Sequence, residues 1–324
     1  MTEVSPVLQV AVAQVPTIEK KKEVSGRQKV VVRHDWNITP VTEIQPGETI
    51  DVLRYVSVEI ESENGDTDGL DKIMKDHNGW KDDGSLRNGV EINTTPSAGV
   101  EFERIVASVC TKLKKRGFEI SNRCGLHTHV DLRDLDKEQI NNIYKFFWAI
   151  EPLVYALVDK SRASNMYCRA VRRKLFFNEF YQLKPREELV DKVNKKTGDR
   201  MGLNLLSIKK HKTIEFRYHQ GSLDPKTILN WVHFVLKGVD YALNRFDLDA
   251  VIDISKTNKV ADIYEEVFKM IEIKPEIGEF YEKKILENIK LGYFWDNEPK
   301  YKLARVADLE ESSDSDDDDS DVPW

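Results

Sequence analysis

Polar side chains able to bind a metal or a phosphate recur at every second position of several otherwise apolar segments. The stretch CGLHTHVD contains His127, His129 and Asp131 at this spacing, and Leu126 and Val130 alternate with them. Because successive side chains of a β-strand point to opposite faces, the three polar residues share one face of a predicted strand. The pattern therefore predicts a strand with one apolar side and one side that carries chemistry.

Three further segments repeat this arrangement, each with two polar side chains on one face: Glu59 and Glu61, Glu91 and Asn93, and Glu215 and Arg217. Alternation is also the ordinary pattern of a strand with one face in water, and that reading accounts equally well for any single pair. Four such segments, each with carboxylates or imidazoles, instead predict polar faces that line one cavity.

Helical periodicity, capping residues and turn signals indicate the other elements. Asp136 and Asp224 are suited to be N-caps, and Pro152 is expected to kink or divide a helix. Helices are predicted near 66–74, 101–116, 137–158, 225–243, 258–272 and 275–290, with a helix and a polar loop over 176–199. A hairpin is predicted between 200–206 and 213–218.

The chain of 324 residues divides into three predicted parts. Residues 1–45 form an N-terminal arm, partly basic, which we expect to be flexible and to add an edge strand through its β-rich run at Val30–Val32. Its basic residues are better explained as a solvated charge run than as a contact with polyphosphate or nucleic acid. Residues 46–305 form the main folded domain, which contains the four polar segments, and residues 306–324 form a disordered acidic tail.

The net charge of −7 depends on the tail, because residues 310–324 hold eight acidic side chains and no lysine or arginine. The preceding 309 residues carry a net charge of only +1. A nearly neutral body gives no electrostatic reason to expect direct nucleic-acid binding.

No segment has the length of apolar sequence that spans a bilayer, and the N-terminus lacks the pattern of a signal peptide. We therefore expect a cytoplasmic protein without membrane contact. The three cysteines, Cys110, Cys124 and Cys168, are odd in number and widely spaced, which favours buried free thiols over disulfides or a zinc site.

The four polar faces together carry five carboxylates and one guanidinium, a net charge of −4: Glu59, Glu61, Glu91, Asp131, Glu215 and Arg217. Carboxylates this close would be largely protonated unless cations neutralised them. Carboxylates with one or two imidazoles suit Mg²⁺ or Mn²⁺ carrying a polyphosphate better than a closed zinc site.

Two further segments contain candidate ligand-binding residues. Asp83 and Ser85 precede the Glu91 strand in a DGSL turn, and turn chemistry explains Asp83 about as well as a substrate contact does. Arg172 and Arg173 lie in the cationic stretch 161–175, which could cradle a triphosphate, although surface placement is the ordinary alternative for each.

The order of these motifs resembles the amidoligases, which are relatives of glutamine synthetase and glutamate–cysteine ligase. The resemblance covers residues 50–245 and rests on the ExE strand, the DGSL turn leading into GVEI, the CGLHTHVD run, Asn204-Leu205, and KTIEFR followed by a helix. It implies an α+β fold with the curved, mainly antiparallel sheet of glutamine synthetase and helices packed on its outer face. The N-terminal arm and the acidic tail lie outside this pattern.

Carried over residue by residue, the resemblance implies metal ligands at Glu59, Glu61, Glu91, His127 and Glu215. His129, Arg217, Arg172 and Arg173 are then candidates for binding the phosphates of ATP, and Ser85, Asn204 and Arg200 for binding substrate. Arg217 would also stabilise the transferred phosphoryl group, and Asp83 or Asp131 would accept the proton of the attacking amine.

The implied activity is an ATP-dependent ligase that forms an amide or isopeptide bond through an acyl phosphate, with Mg²⁺ or Mn²⁺ as cofactor. Its substrates would be a carboxylate and an amine, each from an amino acid, a peptide or a protein. A metal-dependent hydrolase is an alternative because HxH also occurs on strands of amidohydrolases. Those enzymes use a parallel barrel, whereas this sequence lacks a regular βα repeat.

The C-terminal tip, residues Asp321, Val322, Pro323 and Trp324, resembles that of bacterial single-stranded-DNA-binding proteins. The resemblance implies a tail that docks an aromatic ring and the α-carboxylate on a DNA-maintenance protein. In this alternative the chain is a weakly catalytic or non-catalytic adaptor. A purely solubilising tail is an equally good interpretation.

Overall fold

A six-stranded antiparallel sheet organises the protein. The computed structural model describes residues 20–21, 29–30, 50, 52–74, 79–173, 200–256 and 259–290. Its strands are β1 (Lys20–Lys21), β2 (Lys29–Val30), β3 (Val56–Glu63), β4 (Trp80–Asp83), β5 (Gly89–Asn93), β6 (Gly125–Asp131), β7 (Leu203–Asn204) and β8 (Thr213–Gln220). The large sheet has the order β4-β5-β3-β6-β8-β7, and each neighbouring pair is antiparallel. This sheet differs from the parallel barrel that a hydrolase of the amidohydrolase type would need.

Ten α-helices lie in the described part of the chain: α1 (Leu70–Met74), α2 (Gly99–Lys115), α3 (Lys137–Ala149), α4 (Glu151–Ala156), α5 (Lys160–Ala163), α6 (Ser207–His211), α7 (Pro225–Asn244), α8 (Leu248–Ser255), α9 (Val260–Met270) and α10 (Pro275–Lys290). A 3₁₀ turn covers Val171–Arg173. No helix in this part of the chain combines the length and apolarity required to cross a membrane.

The helices cover the apolar face of the sheet. Phe147 of α3 packs edge-on against Phe216 of β8, with ring centroids 4.7 Å apart. At Gly238 of α7, an added Cβ would lie 2.6 Å from the ring of Phe147, so this glycine lets α3 and α7 approach closely. Burying one face under helices leaves the alternate side chains of β3, β5, β6 and β8 for the opposite, polar face.

Capping and turn residues act largely as expected. Asp136 and Asp224 are N-caps, and Asp136 forms a capping box with Gln139. The predicted helix over 137–158 is divided into α3 and α4 at Ile150, with Pro152 in the first turn of α4.

Several features differ from the expectation. Residues Trp80–Asp83, expected to be part of the turn before the Glu91 strand, form strand β4. Helix α8, which precedes the helix predicted near 258–272, was not expected. The connection of the predicted hairpin contains helix α6, and Lys212, which follows this helix, has a left-handed φ of 59°. In the N-terminal arm, β1 pairs with β2 in a separate two-stranded ribbon rather than with an edge of the large sheet. The helix and loop predicted over 176–199 and the acidic tail lie outside the described residues.

Buried His219 predicts an acid-sensitive fold. Burial lowers the pKa of His219 from 6.5 to about 4, and the ring packs 5.2 Å from Trp231. Between these values the unfolded chain binds a proton that the folded chain does not, so the stability is complete above pH 6.5 and falls as the pH drops toward 4. By linkage this loss is about 2 kcal/mol at pH 5.

Urea unfolding at pH 7 and pH 5 tests this expectation by comparing the protein with His219→Gln. The variant should show about 2 kcal/mol less acid destabilisation than the parent. The difference isolates His219 because other titrating groups are common to both proteins. Equal pH dependence in the two proteins would contradict the assignment.

Candidate active site

Strand register brings the predicted site residues together in three rows across the polar face. In the first row Lys81, Glu91 and Glu61 are successive cross-strand partners. In the second, Glu59 lies between Asn93 and His127. The third row runs from Ser57 through His129 and Glu215 to Asn204. Directly opposed side chains in antiparallel strands are close enough to interact, so the register alone assembles the cluster.

The rows form the floor of a cavity of about 820 Å³. Its lining includes Glu59, Glu61, Glu91, His127, His129, Asn204, Glu215 and Arg217, together with Asp83, Ser85 and Arg200. The cavity is therefore lined by eleven of the residues that the sequence assigned to metal, substrate or chemistry.

The first candidate metal group consists of Glu59, His129 and Glu215, each of which offers one ligand atom within 4.8 Å of the others. His129 Nε2 lies 3.3 Å from Glu59 Oε1 and 3.9 Å from Glu215 Oε1. Thr213 orients the ring, because its hydroxyl lies 2.9 Å from His129 Nδ1. Burial alone would lower the pKa of His129, but the charges of Glu59 and Glu215 and a hydrogen bond to Glu59 raise it overall.

The second candidate group consists of Glu61, Asp83 and Glu91. Glu61 Oε2 accepts a hydrogen bond of 2.6 Å from the Gly125 N–H, and Asp83 Oδ1 accepts hydrogen bonds from the N–H and hydroxyl of Ser85. Burial and the charge of Glu59 raise the pKa of Glu91 to about 7 against the opposing effect of Lys81. The negative charge of Glu91 is therefore unfavourable in this environment.

His127 lies between the two groups. Its Nδ1 is 3.0 Å from Glu59 Oε2 and 3.7 Å from Glu215 Oε1, and its Nε2 is 3.5 Å from Glu61 Oε1. Both imidazoles of the HxH motif therefore reach the first group, whereas the resemblance assigned metal ligation to His127 alone.

These donors fit a hard divalent cation. Carboxylate oxygens predominate in both groups, and imidazole is the only nitrogen donor among them. Such a set suits Mg²⁺ or Mn²⁺ and lacks the thiolates or multiple imidazoles of a typical zinc site. The two groups share one cavity and are bridged by His127, so a pair of cations could act on the same ligand.

Arg217 and Asn204 hold Glu215 from two sides. Arg217 Nη1 lies 2.5 Å from Glu215 Oε1, and Asn204 Nδ2 donates a hydrogen bond of 2.7 Å to Glu215 Oε2. Burial raises the pKa of Glu215, but the charges of His129, Arg217 and His127 outweigh it and keep the pKa below its ordinary value. Glu215 is therefore an ionised carboxylate in the interior.

A β-bulge lies at Arg217 and Tyr218 of β8. Leu126 of β6 pairs with His219 and Thr128 pairs with Phe216, so two residues of β8, Arg217 and Tyr218, lie opposite His127. Such a bulge re-aims side chains and is common beside active sites. Glu215 and Arg217 keep the strand alternation and share the polar face, and Tyr218 packs into the core with no exposed surface. The bulge changes the facing of the next residue, so that His219 is buried beside Trp231.

Of the remaining assigned residues, the structure places Asp131 and Arg172 away from the cavity. Asp131 forms a 2.7 Å ion pair with Arg133 and is not among the lining residues. Arg172 is buried in the helical layer, where its guanidinium lies over the Trp148 ring and donates to the Ser255 carbonyl. The Arg173 side chain and the tip residues 321–324 lie outside the described part of the structure.

Lys81, Arg123 and Arg162 also line the cavity. The sequence reasoning assigned no role to Lys81 or Arg123, whereas Arg162 lies in the cationic stretch 161–175 that could cradle a triphosphate. Lys81 pairs with Glu91, and Arg123 pairs with Glu63. Lys81 carried a detectable signal, because it lies two residues before Asp83 in the segment WKDD. Arg162 comes from helix α5, and nothing local distinguishes it from the other cationic side chains of the stretch 161–175.

Asp131→Asn is expected to leave the activity of the enzyme unchanged, because the Asp131 carboxylate accepts hydrogen bonds from the Arg133 guanidinium and N–H instead of facing the cavity. Nucleotide turnover by the variant and the parent tests this expectation. A loss on the order of 10²-fold, the usual contribution of a general base, would place Asp131 in the chemistry instead.

The fold and the site together define a protein with two groups of candidate metal ligands on the polar face of an antiparallel sheet. The chain matches the family described as "Putative amidoligase enzyme" over residues 4–239, and because this match spans most of its length, the chain belongs to that family. The match begins at residue 4, so most of the N-terminal arm falls within the family pattern, contrary to our expectation. The acidic tail lies beyond the match.

No curated protein matches the sequence. Among solved structures, the chain is similar to the crystal structure of a bifunctional glutathione synthetase from Pasteurella multocida, with 14% identity and a TM-score of 0.40. The alignment covers 73% of this chain and 48% of that chain, so the present chain spans about half of that structure. A similarity at this level gives no information about the activity of the present protein.

Proposed function

We propose that the protein is an ATP-dependent carboxylate–amine ligase with a catalytic fold of the glutamine synthetase type. The observation that carries this proposal is the juxtaposition, in one cavity, of two cation-binding groups and the guanidinium of Arg217. Membership of the amidoligase family supports the same class of reaction. The substrates are a carboxylate and an amine from an amino acid, a peptide or a protein.

The chemistry explains why such a site needs both acids and a cation. A carboxylate is a poor acyl donor, because oxide would have to leave. Its oxygen therefore first attacks the γ-phosphorus of ATP, the bond from that phosphorus to ADP breaks, and an acyl phosphate forms. The amine nitrogen then attacks the acyl carbon, and inorganic phosphate leaves with the former carboxylate oxygen.

In this proposal Glu59, Glu215 and His129 hold one divalent cation, and Glu61 and Glu91 hold another, with His127 between them. Bound divalent cations neutralise the anionic oxygens that meet during phosphoryl transfer. Arg217 contributes positive charge at the same place and is already oriented by Glu215.

The second half of the reaction needs a proton acceptor for the amine. Asp83 lines the cavity beside Glu61 and Glu91, and both donors of Ser85 orient its carboxylate. We assign the role of accepting the amine proton to Asp83 rather than to Asp131, because the Asp131 carboxylate is paired with Arg133 outside the cavity. Asn204 positions Glu215, and Arg200 lies at the cavity wall with its guanidinium 4.8 Å from the Tyr167 ring centroid.

The test is ADP release by the purified full chain with ATP and Mg²⁺ or Mn²⁺, alone and with pools of amino acids and peptides. The proposal expects ADP release that increases when both a carboxylate and an amine are present, with a product lighter than the two substrates together by one water. Hydroxylamine offers a matched probe, because it traps an acyl phosphate as a hydroxamate. Absence of nucleotide binding and turnover under every condition would reject the ligase assignment.

A further inference from the structure

Arg162 is a buried cation in the wall of the cavity. Its side chain lines the cavity, yet only 2% of the residue surface is exposed. Nε donates a hydrogen bond of 3.2 Å to the Tyr218 carbonyl, and Nη2 donates one of 2.8 Å to the Arg217 carbonyl. Both acceptors are neutral. Within the described ranges, no carboxylate forms an ion pair with Arg162.

Two other guanidiniums beside the cavity floor are neutralised by carboxylates of the protein. Arg217 is paired with Glu215, and Arg123 is paired with Glu63. A buried charge without an opposite charge is costly, so it persists where a ligand supplies the missing partner or where it serves another role. Arg162 uses two of the five N–H donors of a guanidinium, which leaves Nη1 and one hydrogen of Nη2 for a ligand.

The position of Gly125 shows where that ligand would lie. A Cβ added at Gly125 would be 3.3 Å from Arg162 Nη2, 3.3 Å from Glu61 Oε2 and 3.0 Å from His127 Nε2. The missing side chain thus lets the guanidinium approach the second candidate metal group. An anion held by Arg162 would lie next to that group, on the side of the cavity toward the Arg217 bulge.

We propose that Arg162 is a ligand-binding residue that holds an anionic oxygen group of the reactants, either a carboxylate or a phosphoryl group. A planar guanidinium presents parallel N–H donors to two oxygens at once, which an ammonium group cannot do. The identification of the anion as a reactant rests on the proposed ligase function. The anion-binding role itself rests on the burial of Arg162 and on the N–H donors that its two carbonyl acceptors leave unused.

Arg162→Lys tests this role, with Arg172→Lys as the matched control. Arg172 is also a buried arginine that donates to a backbone carbonyl, but it packs on Trp148 away from the cavity. The midpoint of thermal unfolding is measured for the full chain with Mg²⁺ and increasing inorganic phosphate, L-glutamate or ADP. Dissociation constants follow from the ligand dependence of each midpoint.

We expect Arg162→Lys to bind at least one anion class at least tenfold more weakly than the parent, with Arg172→Lys unchanged. Weaker binding of L-glutamate alone identifies the anion as the carboxylate, and weaker binding of phosphate and ADP identifies it as the phosphoryl group. Restored binding in Arg162→Ala on addition of free guanidinium would support the same role through a second variant.

Three outcomes would overturn the inference. The first is an unchanged affinity of Arg162→Lys for all three probes, and the second is absence of anion binding by the parent. The third is a loss of affinity accompanied by a ligand-free midpoint of thermal unfolding much lower than that of Arg172→Lys. The last outcome would make Arg162 a purely structural brace of the bulge. Because binding is measured without turnover, anion binding through Arg162 in a protein that turns over no ATP would reject the ligase function and leave the anion-binding role standing.

Discussion

Replacing Glu215 by glutamine is expected to lower ATP turnover on the order of 10³-fold while the protein stays folded. Glu215 is the point where the candidate metal group, the Arg217 guanidinium and the Asn204 amide meet. Glutamine keeps the size of the side chain but removes the charge that a divalent cation and Arg217 both need. The change therefore affects cation binding and the orientation of Arg217 together.

The measurement is the initial rate of ADP release at saturating ATP and divalent cation, with thermal unfolding to verify the fold. Asp131→Asn is the matched control, because it neutralises a buried carboxylate on the same polar face that is paired outside the cavity. Turnover by Glu215→Gln within tenfold of the parent would show that Glu215 is not part of the chemistry.

Replacing Glu151 by alanine is expected to lower the free energy of unfolding by about 3–5 kcal/mol. Glu151 has no exposed surface, and its carboxylate accepts hydrogen bonds of 2.8 Å from the Val171 N–H, the Arg172 N–H and the Tyr218 hydroxyl. Burial raises the pKa of Glu151, and these three donors oppose the rise. Alanine would leave all three donors buried without an acceptor.

Urea unfolding of Glu151→Ala and Glu151→Gln measures this effect. The glutamine variant retains one acceptor oxygen, so its loss should be clearly smaller than that of the alanine variant. Turnover should also fall in Glu151→Ala, because Tyr218 is next to Arg217 in the bulge of β8. A loss below about 1 kcal/mol in Glu151→Ala, the value of an ordinary hydrogen bond, would contradict this account.

Much of the sheet could be predicted from the sequence, because the pattern that identifies a strand is formed by neighbouring residues. Alternation in β3, β5, β6 and β8 identifies both the strand and the face on which each polar side chain lies, since the two follow from a period of two. The N-caps at Asp136 and Asp224 and the division of a helix near Pro152 are also local, and the structure confirms them. Helix α8 carried a weaker signal and was not predicted.

At Asp131, alternation predicted a role in the cavity that the structure does not support. This residue follows His127 and His129 on one face of β6, yet its carboxylate is taken by Arg133 two residues later. Side chains on the same face of a strand can still pair with different charged neighbours. Arg172 shows the corresponding limit for helices, because a cationic stretch does not reveal which of its side chains is buried against an aromatic ring such as Trp148.

By itself, then, the sequence determined the donor types, the face of each strand that carries them and the excess of negative charge among them. The tertiary structure decided the strand register that opposes Glu59 to His127 and His129 to Glu215, and the bulge after which His219 is buried in the core. It also brought Arg162 to the cavity from a separate helix. The reason is physical: side-chain direction follows from neighbouring residues, whereas register, bulges and contacts between distant segments depend on packing of the whole chain.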